Sequence, residues 1–105
     1  MRILLVEPGK SPKEADIGSS LQDMQDIVGG LIQAIYPFEE AVALICNEEG
    51  KLLGLPPNRF LCHPESGEPY DIVCGTFFLC AAPADSENFE SLTEEQIQRY
   101  SNYSL

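Results

Sequence analysis

Tyr70–Ala82, with the sequence YDIVCGTFFLCAA, is the most hydrophobic segment of this 105-residue chain. It contains no Lys or Arg, and its Ile, Val, Phe and Thr residues are types that pack well on a pleated sheet. The segment is predicted to be a central strand, because strands buried on both faces read as nearly continuous apolar runs. Gly75 lies within it and is expected to mark a bulge or the close approach of another backbone.

Shorter apolar runs predict further strands around this segment. They are Arg2–Val6, Leu31–Tyr36, Ala41–Cys46 and Lys51–Leu55. Pro56-Pro57 is expected to stop the last of these strands, since a proline cannot donate a hydrogen bond to a neighbouring strand. Lys10–Ile17 is polar and is expected to be a loop, as is His63–Pro69.

Two helices are predicted from their capping signals. Ser19 or Ser20 can cap the first helix, whose apolar residues recur at helical spacing until Gly29-Gly30 ends it. Thr93 and Gln96 are spaced as a capping box, which predicts the start of the second helix.

Together these elements predict one small α+β domain, a mixed and mainly antiparallel sheet with two helices packed on one side. Residues 1–83 are predicted to form the α+β core, and residues 84–105 an acidic linker and a C-terminal helix. On that helix Ile97, Tyr100 and Tyr103 share a face that can pack on the core or on a partner, so the oligomeric state stays open. Glu95 and Arg99 are spaced as an i,i+4 ion pair on another face.

The chain is strongly acidic. Its 17 Asp and Glu residues against six Lys and Arg give a formal net charge of −11, and the 39 residues between Arg59 and Arg99 contain no base. Six scattered bases cannot neutralise a run of phosphates, so direct binding of nucleic acid is not expected. A protein is the predicted partner.

The apolar runs are too short for a membrane-spanning helix, which needs about 20 residues. Glu7-Pro8 interrupts the first run before it reaches the length of a signal-peptide core. A cytoplasmic protein with no membrane association is therefore expected.

No catalytic set, metal site or cofactor is predicted. The four cysteines lack CxxC spacing, and three of them lie in apolar runs, where a free thiol behaves as a small hydrophobic side chain. His63 is the only histidine, and neither GxGxxG nor a P-loop motif occurs. An enzyme that uses carboxylates with Tyr or Cys remains a minor alternative, to be supported by two acids facing each other in an apolar pocket.

One loop is a candidate binding site, formed by Pro56, Pro57, Asn58 and Arg59. Two prolines stiffen its backbone, and it offers an amide and a guanidinium, which suit a carboxylate, a phosphate or a peptide backbone. The alternative is structural, with Arg59 paired to an acid at the edge of the sheet.

Four segments resemble a family of bacterial domains of unknown function. They are Asp26–Gly30, Tyr36–Phe38, Ile45–Arg59 and Asp71–Phe78, with Asn47–Arg59 the most specific. The resemblance covers about Met1 to Ala82 and leaves the tail from Ala84 outside. It implies a small acidic protein encoded on a conjugative element, plasmid or phage, and it brings no activity, cofactor or catalytic residue.

The leading hypothesis is a non-enzymatic interaction or regulatory module of a mobile genetic element, which recognises a protein through the proline loop or the tyrosine-bearing helix. The second hypothesis is a DNA mimic, in which carboxylates imitate phosphates and occupy the basic groove of a restriction enzyme or another DNA-binding protein. A mimic requires its acids in a stripe along one face.

Overall fold

The computed structural model describes residues 1–102; Tyr103, which was expected on the apolar face of the C-terminal helix, lies outside them. The described chain runs through seven strands and two helices. They are β1 (Arg2–Val6), β2 (Lys13–Asp16), α1 (Leu21–Val28), β3 (Ile32–Ile35), β4 (Val42–Asn47), β5 (Pro57–Cys62), β6 (Pro69–Cys74), β7 (Phe77–Ala81) and α2 (Glu94–Tyr100).

The strands form a five-stranded sheet in the order β2-β1-β7-β4-β3 and a separate two-stranded sheet of β5 and β6. Every pairing between these strands is antiparallel. The α+β class is confirmed, as is a single domain with two helices and mainly antiparallel strands.

The two helices lie on opposite faces of the larger sheet, whereas the same side was expected for both. α1 packs Met24 and Val28 with Phe78 on one face. α2 packs Ile97 with Leu79 on the other, where the β5–β6 hairpin adds Leu61. Since β1, β4 and β7 are apolar on both sides, each face needs a covering layer.

Tyr70–Ala82 is two strands rather than one. β6 belongs to the smaller sheet and β7 is the central strand of the larger one, where it pairs with β1 and β4. Gly75 lies between them with φ of +89°, and a Cβ there would lie 2.7 Å from Cδ1 of Leu55. The close neighbour of Gly75 is thus the side chain of Leu55, and Gly75 separates two strands instead of marking a bulge in one.

Three further predictions are wrong. Lys51–Leu55 is a turn that contains Gly54 at φ +69°, and Pro57 begins β5 instead of ending a strand. A proline is acceptable as the first residue of a strand, where its missing N–H is not needed. Within the expected loop Lys10–Ile17, residues 13–16 pair with β1 as an edge strand.

Both helices begin at the predicted caps. The hydroxyl of Ser20 accepts a hydrogen bond from the backbone N–H of Asp23, and Gly29 ends α1 in the left-handed conformation. Thr93 and Gln96 form the capping box of α2. Leu92 and Ile97 are buried in the core, so α2 is held against the sheet near β1.

Candidate functional site

The loop predicted to bind a partner divides between solvent and core. Pro56 and Pro57 are exposed, whereas Asn58 and Arg59 are buried, with 2% and 6% of their surface accessible. Nδ2 of Asn58 donates to the carbonyls of Val6 (2.9 Å) and Gly75 (2.8 Å), which joins β5 to the end of β1 and to the β6–β7 connection.

The guanidinium of Arg59 also points inward. Nη1 donates to Oδ1 of Asn58 (2.9 Å), and Nη2 donates to the carbonyl of Lys10 (2.6 Å). These contacts tie β5 to the loop after β1, so both polar side chains of the loop are used within the fold. The binding role of Pro56, Pro57, Asn58 and Arg59 stays a prediction, and the accessible chemistry lies elsewhere.

A cleft of about 550 Å³ opens between the β3–β4 loop, the end of α2 and the segment that leaves β5. Its walls are formed by Pro37, Phe38, Glu39, Glu40, Phe60, Cys62, His63, Pro64, Arg99 and Tyr100. Three stretches far apart in the chain therefore meet at one surface. We call this surface the aromatic cleft.

The β3–β4 loop is joined to α2 by the carboxylate of Glu40. Nη1 of Arg99 donates to both of its oxygens (2.5 and 2.6 Å), and the hydroxyl of Tyr100 donates to Oε1 (2.6 Å). Arg99 thus pairs across the fold with Glu40, and not along its own helix with Glu95 as the i,i+4 spacing had predicted. The network fixes one wall of the cleft.

These contacts shift the pKa values of Glu40 and Tyr100. The hydrogen bond from Tyr100, followed by that from Arg99, lowers the pKa of Glu40. Burial, followed by the neighbouring Glu40, raises the pKa of the Tyr100 phenol. At neutral pH this network therefore consists of a carboxylate, a neutral phenol and a guanidinium, and the charges of Glu40 and Arg99 compensate each other.

Aromatic side chains supply the apolar surface of the cleft. The rings of Phe38 and Tyr100 lie 4.6 Å apart, centroid to centroid, which is within the range of favourable ring pairs. Phe60 leaves 43% of its surface accessible on the opposite wall. Near the mouth, the ring of His63 lies 4.6 Å from that of Tyr70.

Cys62 and His63 line the cleft beside the Glu40 network, whereas Cys46 and Cys80 lie in the core. Glu40 is a weak base because its pKa is lowered, and it faces a guanidinium rather than a second acid. Burial raises the pKa of Cys46 to about 11 and that of Cys80 to about 12, so neither thiol is a nucleophile at neutral pH. Within residues 1–102 no group of three His, Cys, Asp or Glu side chains could hold a metal ion.

Some of the unpaired acids lie at the same end of the sheet as the cleft. Val42 pairs with Ala81, and the N–H of Ala82 donates to the carbonyl of Ala41, so the loop after β7 lies beside the β3–β4 loop. Four acids here form no ion pair with a described base. They are Asp85, Glu87 and Glu90 in that loop, and Glu39 at the cleft. Glu48 and Glu49 follow the other end of β4, so the unpaired acids occur at both ends of the sheet.

Sequence reasoning had identified Tyr100 and missed Phe38 and Phe60. A phenylalanine in an apolar run gives no local signal of exposure, because its face depends on which strand or loop packs beside it. The alternation of side chains along β5 gives no usable signal either, because an arginine is expected to face solvent and Arg59 is buried.

A model of the family described as a domain of unknown function (DUF3846) matches residues 1–104. The match extends through α2, beyond the Ala82 limit that the sequence resemblance had suggested. No curated protein and no solved structure matches the chain significantly. Neither helix of the described chain is long and apolar enough to cross a membrane.

Proposed function

The chain belongs to the DUF3846 family of domains of unknown function, and we propose that it is a non-enzymatic interaction module. In this proposal the aromatic cleft binds a short segment of a partner protein. The segment carries an apolar side chain that enters the cleft and at least two Lys or Arg residues beside it.

The observation that carries the proposal is the composition of the cleft walls. Phe60 is exposed and Phe38 and Tyr100 are partly buried, and all three contribute ring surface to the cleft. Aromatic side chains are frequent anchors of protein interfaces. Glu40 and Arg99 satisfy each other, so an apolar side chain can cover them without leaving a single buried charge unpaired.

The charge of the partner is inferred from the acids at this end of the sheet. Glu39 lies on its rim, and the unpaired acids of the loop after β7 lie at the same end of the sheet. A basic segment would be attracted to this end and steered towards the cleft, and its affinity would fall as salt screens the attraction.

The resemblance to proteins of conjugative elements, plasmids and phages adds a setting to the proposal. A small acidic module of such an element would act in the cytoplasm as a regulator of a basic protein. This setting rests on the resemblance, while the binding chemistry rests on the cleft.

A DNA mimic would also attract a basic partner, but it would bind through carboxylates alone. The position of Glu48 and Glu49 at the far end of β4 favours scattered acids over a stripe along one face. The two proposals differ in the variant that weakens binding most. This variant is Phe60→Ala for the cleft, and the removal of surface acids for a mimic.

The test is a peptide library displayed on phage and selected against the full-length chain. Selected peptides are expected to combine an apolar residue with two or more Lys or Arg. Their dissociation constants should rise about tenfold in Phe60→Ala, since truncating a central aromatic residue costs about 1.4 kcal/mol or more.

Leu52→Ala is the matched control, because Leu52 is an exposed apolar residue in the turn after the far end of β4. Affinity should be unchanged in this variant. The proposal fails if the selected peptides lack basic residues, or if Phe60→Ala and Leu52→Ala bind them equally well. Competition of the peptides by duplex DNA, with Phe60→Ala retaining full affinity, would instead favour the mimic.

A further inference from the structure

The two outer strands of the five-stranded sheet differ in charge. At one edge, β2 has the sequence KEAD, and its three charged residues are exposed. At the other edge, β3 has the sequence IQAI and lies within residues 27–38, which include no Asp, Glu, Lys or Arg. Charged side chains protect an edge strand from pairing with another chain, and β3 has no such protection.

The outward backbone groups of β3 can be assigned from its pairing with β4. The carbonyl of Leu31 accepts from the N–H of Glu48 (2.8 Å), so Leu31 turns its backbone groups towards β4. By the alternation of antiparallel strands, Gln33 and Ile35 do the same, while Ile32 and Ala34 turn their N–H and C=O groups away from the sheet. The N–H and C=O groups of these two residues form the free edge of β3.

We propose that this edge pairs with β3 of a second copy of the chain, antiparallel and across a twofold axis, so that two sheets become one. Pairing Ile32 with Ala34 of the second copy uses all the outward groups and gives four backbone hydrogen bonds. The same register places Gln33 opposite its own copy, where two amides can bond to each other.

The residues flanking the edge are complementary in this register. Leu31 lies opposite Ile35 of the second copy, and Tyr36 lies opposite Gly30, so a large ring meets a residue without a side chain. Leu31 and Tyr36 are 55% and 61% accessible in the single chain and would be covered. A second copy is favoured over a charged partner because every residue of the pairing segment is uncharged.

The effect of salt distinguishes this dimer contact from peptide binding in the aromatic cleft. Each copy carries a net charge of −11, so the two copies repel each other and added salt should strengthen the dimer. Binding of a basic segment should weaken under the same conditions. The dimer does not depend on the proposed function, and Phe60→Ala should leave it intact.

The test is molar mass by light scattering over a range of protein concentrations. The molar mass of the wild type should approach twice the 11.6 kDa of one chain as concentration rises, and it should do so at lower concentration in high salt.

Ala34→Pro removes one outward N–H without removing a bond to β4, and it should shift the chain to a monomer. Gln33→Glu should weaken the dimer at least tenfold by placing two carboxylates face to face. Gln98→Glu adds the same charge to an exposed site on α2 and should leave the mass unchanged.

Hydrogen exchange checks the contact without any variant. The amides of Ile32 and Ala34 should be protected at high concentration and exchange rapidly at low concentration. A wild-type chain that stays monomeric, or an Ala34→Pro variant that is folded and still dimeric, would overturn the proposal. If Ala34→Pro does not fold, the molar mass of Gln33→Glu and the hydrogen exchange of the Ile32 and Ala34 amides test the dimer in its place.

Discussion

Arg59 and Arg99 bound a stretch of 39 residues without a base, and the fold uses them in different ways. Arg59 is buried, and its guanidinium donates to the carbonyl of Lys10 and to Asn58. Arg99 lies on the exposed end of α2 and pairs with the carboxylate of Glu40. The first joins strands and loops into a fold, while the second shapes an accessible surface.

A compact sequence motif can therefore mark polar groups that are used within the fold. Two prolines, an amide and a guanidinium identify the Arg59 loop in the sequence, but its polar groups face inward. The aromatic cleft beside Arg99 has no compact motif, because its walls come from three separate stretches. Changes on the Arg59 side should therefore reduce stability, and changes on the Arg99 side should reduce binding.

The largest effect is expected from Asn58→Ala. The change leaves the carbonyls of Val6 and Gly75 without their donor and removes an acceptor of Arg59. Each unpaired buried group costs about 1–3 kcal/mol, so the free energy of unfolding should fall by about 3 kcal/mol. Urea unfolding followed by circular dichroism measures it. Asn88→Ala, at an exposed asparagine whose hydrogen bonds use only its backbone, should change little, and equal losses in both variants would contradict the assignment.

Gly75→Ala should have the next largest effect, about 2 kcal/mol, from left-handed backbone strain and the contact with Leu55. Gly67→Ala is the matched control, because Gly67 has φ of +75° but open space where a Cβ would lie. The difference between the two variants in thermal unfolding isolates the cost of the Leu55 contact. No difference would mean that Gly75 matters only for its φ.

Phe60→Ala should spare stability and reduce binding. Because the side chain is partly exposed, the midpoint of urea unfolding should shift less than in Asn58→Ala. The affinity for a basic, apolar-anchored peptide should fall about tenfold. Isothermal titration calorimetry on both variants makes the contrast direct. A variant of the Arg59 side that folds normally and loses the peptide would reverse the comparison.

The smallest effect concerns acid stability. The pKa of Glu40 is lower in the folded chain than in the unfolded one, so its contribution is present above the unfolded pKa of about 4.3 and is lost as pH falls through the folded pKa. As the pH is lowered from about 5, the free energy of unfolding of Glu40→Gln should therefore fall less than that of the wild type. Glu39→Gln removes a carboxylate from the next residue without touching the network, and it corrects for net charge. If the free energy of unfolding of Glu40→Gln falls with pH as steeply as that of the wild type, the role of the network is refuted.

Local signals in the sequence predicted the helices well. The caps at Ser20 and Thr93 depend on residues three positions apart, and both helices begin where these residues predict. The division of Tyr70–Ala82 could not be predicted in the same way, because an apolar run reads alike whether one sheet or two contain it. Only the position of Leu55 beside Gly75 shows why the chain changes sheet there.

The candidate site was predictable only in part. The tyrosine-bearing helix was identified from its apolar face, and Tyr100 indeed lies in the cleft wall. Glu40 could not be assigned to Arg99, since 59 positions separate them in the chain and Glu95 lies at the ideal helical spacing. Long-range pairing of this kind is set by how the β3–β4 loop packs on α2.

The most direct test is a titration of the ¹⁵N-labelled full-length chain with a selected basic peptide, followed by amide chemical shifts. The cleft account predicts saturable changes at the amides of residues 38–40, 60–63 and 99–100, with little change at the amides of Asn58 and Arg59 beyond what Phe60 transmits. Saturable changes centred on the amides of Leu55, Asn58 and Arg59, with those of the cleft residues unchanged, would contradict it.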